Sequence, residues 1–312
     1  MPAHDFDAQS DAVSLKKDLE GSDHSALIKI LAHRSNVQRQ DIKRKYRELH
    51  GKDLEEDVKS KIGGILKGHD FQHLVLALLD ERAVYDAKCL REAMKGLGTD
   101  ERTLIDILCT RTNQEIRDIV AAYRTTFSRD LEKDVVGDTS GHFKSLLVTM
   151  CKGSREEGET EDLSKARKEA HDLYEAGEKK WSTDESTFNT ILGTRSYVQL
   201  RATFEEYEKV AHKDIGKSVD SEVSGDLKRG YLCIVQCVHS RASYFADRLY
   251  RSMKGLGTDD DCLIRVVVSR SEVDLAEIKD KFLLQHHKPL SKMIEEDTSG
   301  DYRKLLLEIV GP

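Results

Sequence analysis

The chain has 312 residues, with 50 Lys and Arg against 57 Asp and Glu, a formal charge of −7. Charged residues make up 34% and apolar ones 38%, and no run approaches the ~20 apolar residues that a membrane-spanning helix needs. Apolar stretches such as Leu74–Leu79 and Leu305–Val310 also exclude a wholly disordered chain. Length suggests two domains at about 150 residues each. Residues 3–288 contain no proline, so helices can run there without the break that proline imposes. The start, Met1-Pro-Ala-His-Asp-Phe-Asp, has neither a basic nor an apolar segment. No secretory signal is therefore expected, and the six cysteines are expected to be reduced thiols of a cytoplasmic protein. Cys233 and Cys237, four apart with no second pair nearby, read as small buried apolar residues rather than half a metal site.

Along the chain one unit recurs four times. Residues 1–11 are a short tail, too short for a long partner-docking helix. The first copy (12–82) carries the line LIKILAHRSN ending around Arg34, the second (83–151) LIDILCTRTN around Arg111, the third (164–240) FNTILGTRSY around Arg195, and the fourth (241–312) LIRVVVSRSE around Arg270. Downstream of each come KDLEEDV, RDLEKDV, KDIGKSV and KPLSKMI, and the last three copies add GDTSGHFKSLLV, SEVSGDLKRGYLCIV and EDTSGDYRKLLLEIV. The first copy instead reads KIGGILKGHDFQHLVLAL, about five residues longer. Apolar positions 104, 105, 107 and 108 follow the spacing of one helix face, and each copy has room for four or five short helices. Thr99, Thr183 and Thr258 are expected to cap a helix in the second, third and fourth copies. The polar stretch 152–163 reads as a linker that divides the chain into halves. Arg111, Arg195 and Arg270, each following an apolar face, are expected to pair with carbonyls or acids between helices.

The chemistry concentrates in two loops, Met94-Lys-Gly-Leu-Gly-Thr-Asp100 and Met253-Lys-Gly-Leu-Gly-Thr-Asp259. Two glycines around one residue make a tight turn whose carbonyls can face outward, and carbonyls with a carboxylate suit calcium, a hard ion with six to eight oxygen ligands. An acid stands at a fixed distance: Asp138 lies 42 residues after Gly96, Asp297 42 after Gly255, and Glu222 42 after Lys180.

With its KGLGTD loops, its L-I-x-I-L-x-x-R line and that distant acid, the sequence resembles the annexins over almost its whole length, from about Ala8 to Gly311. The resemblance implies an all-α fold of four five-helix repeats in a curved disc, binding calcium and phospholipid on its convex face. It also implies that three loop carbonyls and one distant carboxylate hold each ion. Position by position, the second copy would supply Met94, Gly96, Gly98 and Asp138, and the fourth Met253, Gly255, Gly257 and Asp297. The third copy has Lys180 and Ser182 where the others have glycine. Strain at those positions predicts a weaker site at Glu178, Lys180, Ser182 and Glu222. In the first copy the loop is Lys17-Asp-Leu-Glu-Gly-Ser-Asp-His24, and the position of the distant acid falls on Lys61 or Leu66, so that site is expected to be lost. Secondary sites of the family would use the carbonyls of Thr99, Thr183 and Thr258 with Glu101, Glu185 and Asp260, although acids in a first helical turn also arise simply because they favour the helix dipole.

A chain at −7 is repelled by acidic, phosphatidylserine-like surfaces, and no cluster of four to eight Lys and Arg offsets that. Calcium held partly by neutral carbonyls would keep charge to share with lipid phosphate. Leu97 and Leu256 at the loop tips, with Trp181 in the third loop, are the expected membrane contacts. The reading is thus a reversible, calcium-dependent peripheral membrane binder with Ca2+ as its ion and no nucleic-acid partner. Membrane aggregation, trafficking or repair, and lateral self-assembly on membranes, follow as possible uses. The competing readings are a calcium-independent helical scaffold for protein partners and an enzyme; phosphate-loop, serine-elbow and H-E-x-x-H motifs are all missing, so no catalysis is expected.

Overall fold

The computed structural model describes residues 6–62, 69–177 and 184–312. Among these residues there are nineteen helices and no strand. The first copy holds α1 (Ala8–Glu20), α2 (Ser25–His33), α3 (Asn36–His50), α4 (Leu54–Lys61) and α5 (His69–Leu79). The second holds α6 (Arg82–Ala93), α7 (Glu101–Leu108), α8 (Asn113–Phe127), α9 (Leu131–Asp138) and α10 (Gly141–Cys151). After residues 152–162, the third brings α11 (Leu163–Ala176), α12 (Glu185–Thr194), α13 (Tyr197–Ala211) and α14 (Ile215–Glu222). Next, α15 (Gly225–Met253) is broken at Ser240 (φ −163°, ψ 112°), so it closes one copy and opens the next. The fourth continues with α16 (Asp260–Arg270), α17 (Leu275–His286), α18 (Leu290–Asp297) and α19 (Gly300–Val310). Two compact units result, one made of residues 1–85 and 245–312, the other of 86–244. No helix among the described residues is long and apolar enough to cross a membrane.

Local chemistry sets the helix ends. Ser35 and Thr112 each open the helix after the arginine with a full capping box, using Gln38 and Glu115 in return. The periodic lines then bury one face: Leu27, Leu31, Leu104, Ile107, Leu108, Leu192, Leu263 and Val267 are all buried, each stabilising by about 1.5–3 kcal/mol. In the first unit α5 packs against α16 and α19, and in the second α10 packs against α12 and α7. All six cysteines are free thiols, and Cys233 and Cys237 are buried, as an apolar role requires.

The arginines that close the lines divide into two kinds. Arg34 reaches Asp11 at 2.7 Å, Arg111 grips Asp86 through two bonds of 2.7 and 2.9 Å, and Arg195 meets Glu169 and Glu156. These ion pairs tie the end of one helix to a neighbouring helix or, at Glu156, to the stretch 152–162. Arg270 departs, because Phe245 occupies the place 25 residues upstream where Arg111 finds its acid. Its guanidinium lies over the Phe245 ring at 4.9 Å and turns to Asp274, one turn on, at 2.7 Å.

The threonine caps need correction. The residues that cap α7 and α16 are Asp100 and Asp259, which accept from Thr103 N at 3.1 Å and Cys262 N at 3.0 Å. Thr99 and Thr258 are drawn away to the ends of α9 and α18, where each donates its hydroxyl to a main-chain carbonyl. Asp184 takes the same capping position on α12, and Thr183 lies outside the described residues.

Candidate functional site

In the second copy the chain leaves α6 at Ala93 and returns at Asp100, whose N–H donates to Ala93 O at 2.8 Å and closes the loop. Gly96 and Gly98 sit at φ +95° and +93°, a region open to glycine and strained for other residues. Met94 is buried under the loop while Leu97 at its tip is completely exposed, with 108% relative accessibility. The carbonyls of Met94, Gly96 and Gly98 accept no hydrogen bond among the described residues. Thr99 Oγ1 donates to Asp138 O at 3.2 Å, fastening the end of α9, with the exposed Asp138, to the loop.

The fourth copy repeats this construction. Asp259 N donates to Ser252 O at 2.7 Å, Gly255 and Gly257 take φ +120° and +84°, Met253 is buried and Leu256 is as exposed as Leu97. Here Thr258 Oγ1 donates both to Asp297 O (3.4 Å) and to its carboxylate Oδ2 (2.5 Å). Unpaired main-chain oxygens call for water or an ion, and three of them beside one carboxylate suit a hard cation that takes oxygen ligands. The residues present therefore fit calcium, with Met94, Gly96, Gly98 and Asp138 as one set and Met253, Gly255, Gly257 and Asp297 as the other.

The other two copies behave differently. In the third, Asp184 N donates to Ala176 O at 2.8 Å, a closure one residue longer, and Glu222 is exposed at the end of α14. Glu178, Lys180, Trp181, Ser182 and Thr183 lie outside the described residues. In the first, α1 runs on to Glu20, Gly21 takes φ −96°, and Leu19 points into the core at 3% exposure. Lys61 ends α4 without offering a carboxylate, and Leu66 lies outside the described residues.

The secondary acids gather with partners that sequence reading did not supply. Glu101, Asp138, Glu185 and Glu222 line one cavity of about 380 Å³ in the second unit, together with Asp226 and His142. His142 Nε2 lies 3.8 Å from Glu185 Oε2. Asp226 and His142 come from the helices that follow the distant acids, so the tie is purely tertiary; their shared place near the starts of α15 and α10 was the one signal available. In the first unit burial pushes the Asp260 carboxyl above its ordinary range, and the charges of Asp70, Asp261 and Asp297 add to the shift against the pull of Tyr302. Asp70 and Asp261 were likewise missed.

The annexin family model matches this chain at residues 10–78, 85–150, 168–234 and 244–309. Human (Homo sapiens) annexin A7 is 51% identical over 312 residues, and the match covers 99% of this chain but only 63% of that protein. The solved structure of annexin III superimposes with a TM-score of 0.96 at 42% identity, covering 100% of this chain and 96% of its own. A calcium-bound annexin (Sm)1 superimposes with a TM-score of 0.87 at 31% identity, covering 100% and 92%. With all four matched segments falling on the four copies, the chain belongs to the annexin family.

Proposed function

We propose that this protein binds acidic phospholipid surfaces reversibly when calcium fills the loops of its second and fourth copies. The observation that supports it is the paired construction itself: two loops, one in each compact unit, present three unpaired carbonyls beside a distant carboxylate. Met94, Gly96, Gly98 and Asp138 would hold one ion, and Met253, Gly255, Gly257 and Asp297 the other. Each set brings a single formal negative charge, so a bound divalent ion keeps net positive charge to offer a lipid phosphate. At the loops that charge offsets the repulsion expected between a chain at −7 and an anionic bilayer. Leu97 and Leu256 then meet the interface from fully exposed positions, and Trp181 is assigned the same task in the third loop.

The third copy, through Glu178, Lys180, Ser182 and Glu222, is assigned a weaker site. Thr99 with Glu101, Thr183 with Glu185, and Thr258 with Asp260 are assigned secondary ones. The protein so read is a cytoplasmic, non-catalytic membrane binder suited to membrane aggregation, trafficking or repair. The test is co-sedimentation with phosphatidylserine vesicles, with calcium and with a chelator. The wild type should pellet only with calcium, Asp138→Asn and Asp297→Asn should each need about tenfold more of it, and the double variant should stay in the supernatant. Wild-type protein that remains soluble at millimolar calcium, or pellets equally with chelator, overturns the proposal.

A further inference from the structure

The first copy, which lacks the calcium loop, carries a feature that the other three do not. His69 and His73 stand four apart on the first turn of α5, and the matching positions are Gly141 and Ser145, Gly225 and Arg229, and Gly300 and Lys304. Residues four apart share a helix face, and the two rings lie 6.3 Å apart between centroids. Each ring is anchored by its Nδ1 to a carboxylate: His69 to Asp70 Oδ1 at 3.3 Å, and His73 to Asp261 Oδ1 at 3.3 Å. Asp261 belongs to α16, which packs on α5 within the same unit, so the His73 contact joins two helices. Both histidines reach solvent, with side chains 84% and 35% exposed.

A carboxylate on Nδ1 fixes the tautomer in which Nδ1 carries the proton and Nε2 keeps its lone pair. This is the arrangement commonly found behind metal-ligating histidines. The surroundings also favour a cation. Asp70, Asp261 and Asp297 all act on Asp260, and burial, first, with this crowding disfavours its charge. His73, first, and Arg265 hold the Asp261 carboxyl below its usual range, and these two with His69 are the positive or potentially positive groups acting on it. No three His, Cys, Asp or Glu among the described residues stand ready as a complete metal cage; the arrangement is a two-histidine site whose remaining positions fall to water.

We propose that the Nε2 atoms of His69 and His73 bind a divalent ion of the zinc class, with Asp70 and Asp261 as positioning residues that tie the ion to α16. Imidazole nitrogen selects zinc, copper or nickel over calcium, which prefers oxygen. The pair on α5 would thus take a different class of ion from the loops, independently of whether those of the second and fourth copies hold calcium.

The experiment titrates zinc chloride into the chelator-stripped full chain by calorimetry. The wild type should bind zinc, and the His69→Asn/His73→Asn variant should lose more than about tenfold in affinity. Asp261→Asn should weaken binding by about tenfold through its hold on His73, and millimolar calcium should not displace the metal. Unchanged helical circular dichroism in the variants, whose altered side chains lie at the surface, shows that the fold is intact. No zinc binding by the wild type, wild-type affinity in the double-histidine variant, or displacement of zinc by calcium overturns the site. Wild-type affinity in Asp261→Asn overturns the tie to α16.

Discussion

The second and first copies begin with the same succession of helix, short loop and helix, yet their loops differ in almost every physical respect. In the second copy α6 stops at Ala93 and two glycines at positive φ turn the chain outward, leaving Leu97 in solvent. In the first copy α1 continues four residues further in the equivalent register, Gly21 has an ordinary negative φ, and Leu19 fills the core where Gly96 stands exposed. The start of the next helix differs too, although Asp23, at Asp100's place, still accepts from Ser25 N at 3.1 Å. Asp100 caps α7 from its near side. In the first copy Asp18, still on α1, reaches across to accept from Ala26 N at 2.9 Å and Leu27 N at 3.1 Å, while His24 in the cap position forms no side-chain cap bond. The first copy thus differs from the second by more than one acid. It has extended its helix through the turn and sunk the residue at Gly96's place into the core.

The largest expected effect tests that conversion. Leu19→Ala removes a buried side chain and should destabilise the first unit by about 2–5 kcal/mol, read as a lower denaturant midpoint. Calcium-dependent vesicle binding at a temperature where the variant stays folded should not change. A Leu19→Ala protein of wild-type stability would show that Leu19 does not hold the loop down.

Next in size are the tips. Leu97→Ser and Leu256→Ser change side chains that touch nothing in the folded protein, so stability should stay within about 0.5 kcal/mol. A leucine fully buried in the interface contributes about 1.5–3 kcal/mol. Each substitution should therefore weaken vesicle partitioning at saturating calcium by about tenfold. Partitioning that does not change would confine membrane contact to the ions, and the two loops would then act as clamps without anchors.

Much of this was legible in the sequence because it depends on short-range pattern. Helix faces follow from the 3.6 period, and the glycine pairs announce their turn through the backbone freedom they supply. What escaped was decided at long range. Thr99 and Asp100 are both competent caps, and the choice between them is made by the Asp138 carbonyl 39 residues away, which draws the threonine hydroxyl. Arg270 reads like its three counterparts until Phe245 is seen to occupy the place where Arg111 finds its acid. His142 beside Glu185, and Asp261 beside His73, join different copies, so no spacing within one repeat can reveal these pairs.

The smallest effect isolates the backbone from the carboxylate. A Cβ added at Gly96 meets nothing within 4 Å, but the residue sits at φ +95°, so Gly96→Ala tests conformation without a clash. Holding an L-residue there costs about 1–2 kcal/mol. If the calcium-binding loop requires that conformation, the variant should need about fivefold more calcium for vesicle binding, less than the shift expected from Asp138→Asn. Gly137→Ala is the matched control. It lies in α9 with open space and no positive φ, and alanine there favours the helix, so its calcium requirement should match the wild type. Equal calcium requirements for Gly96→Ala and Gly137→Ala would mean that the loop tolerates side chains at its turning point. The Lys180 and Ser182 of the third copy would then be no reason to expect a weaker site there, and the difference among copies would reduce to the distant acid alone.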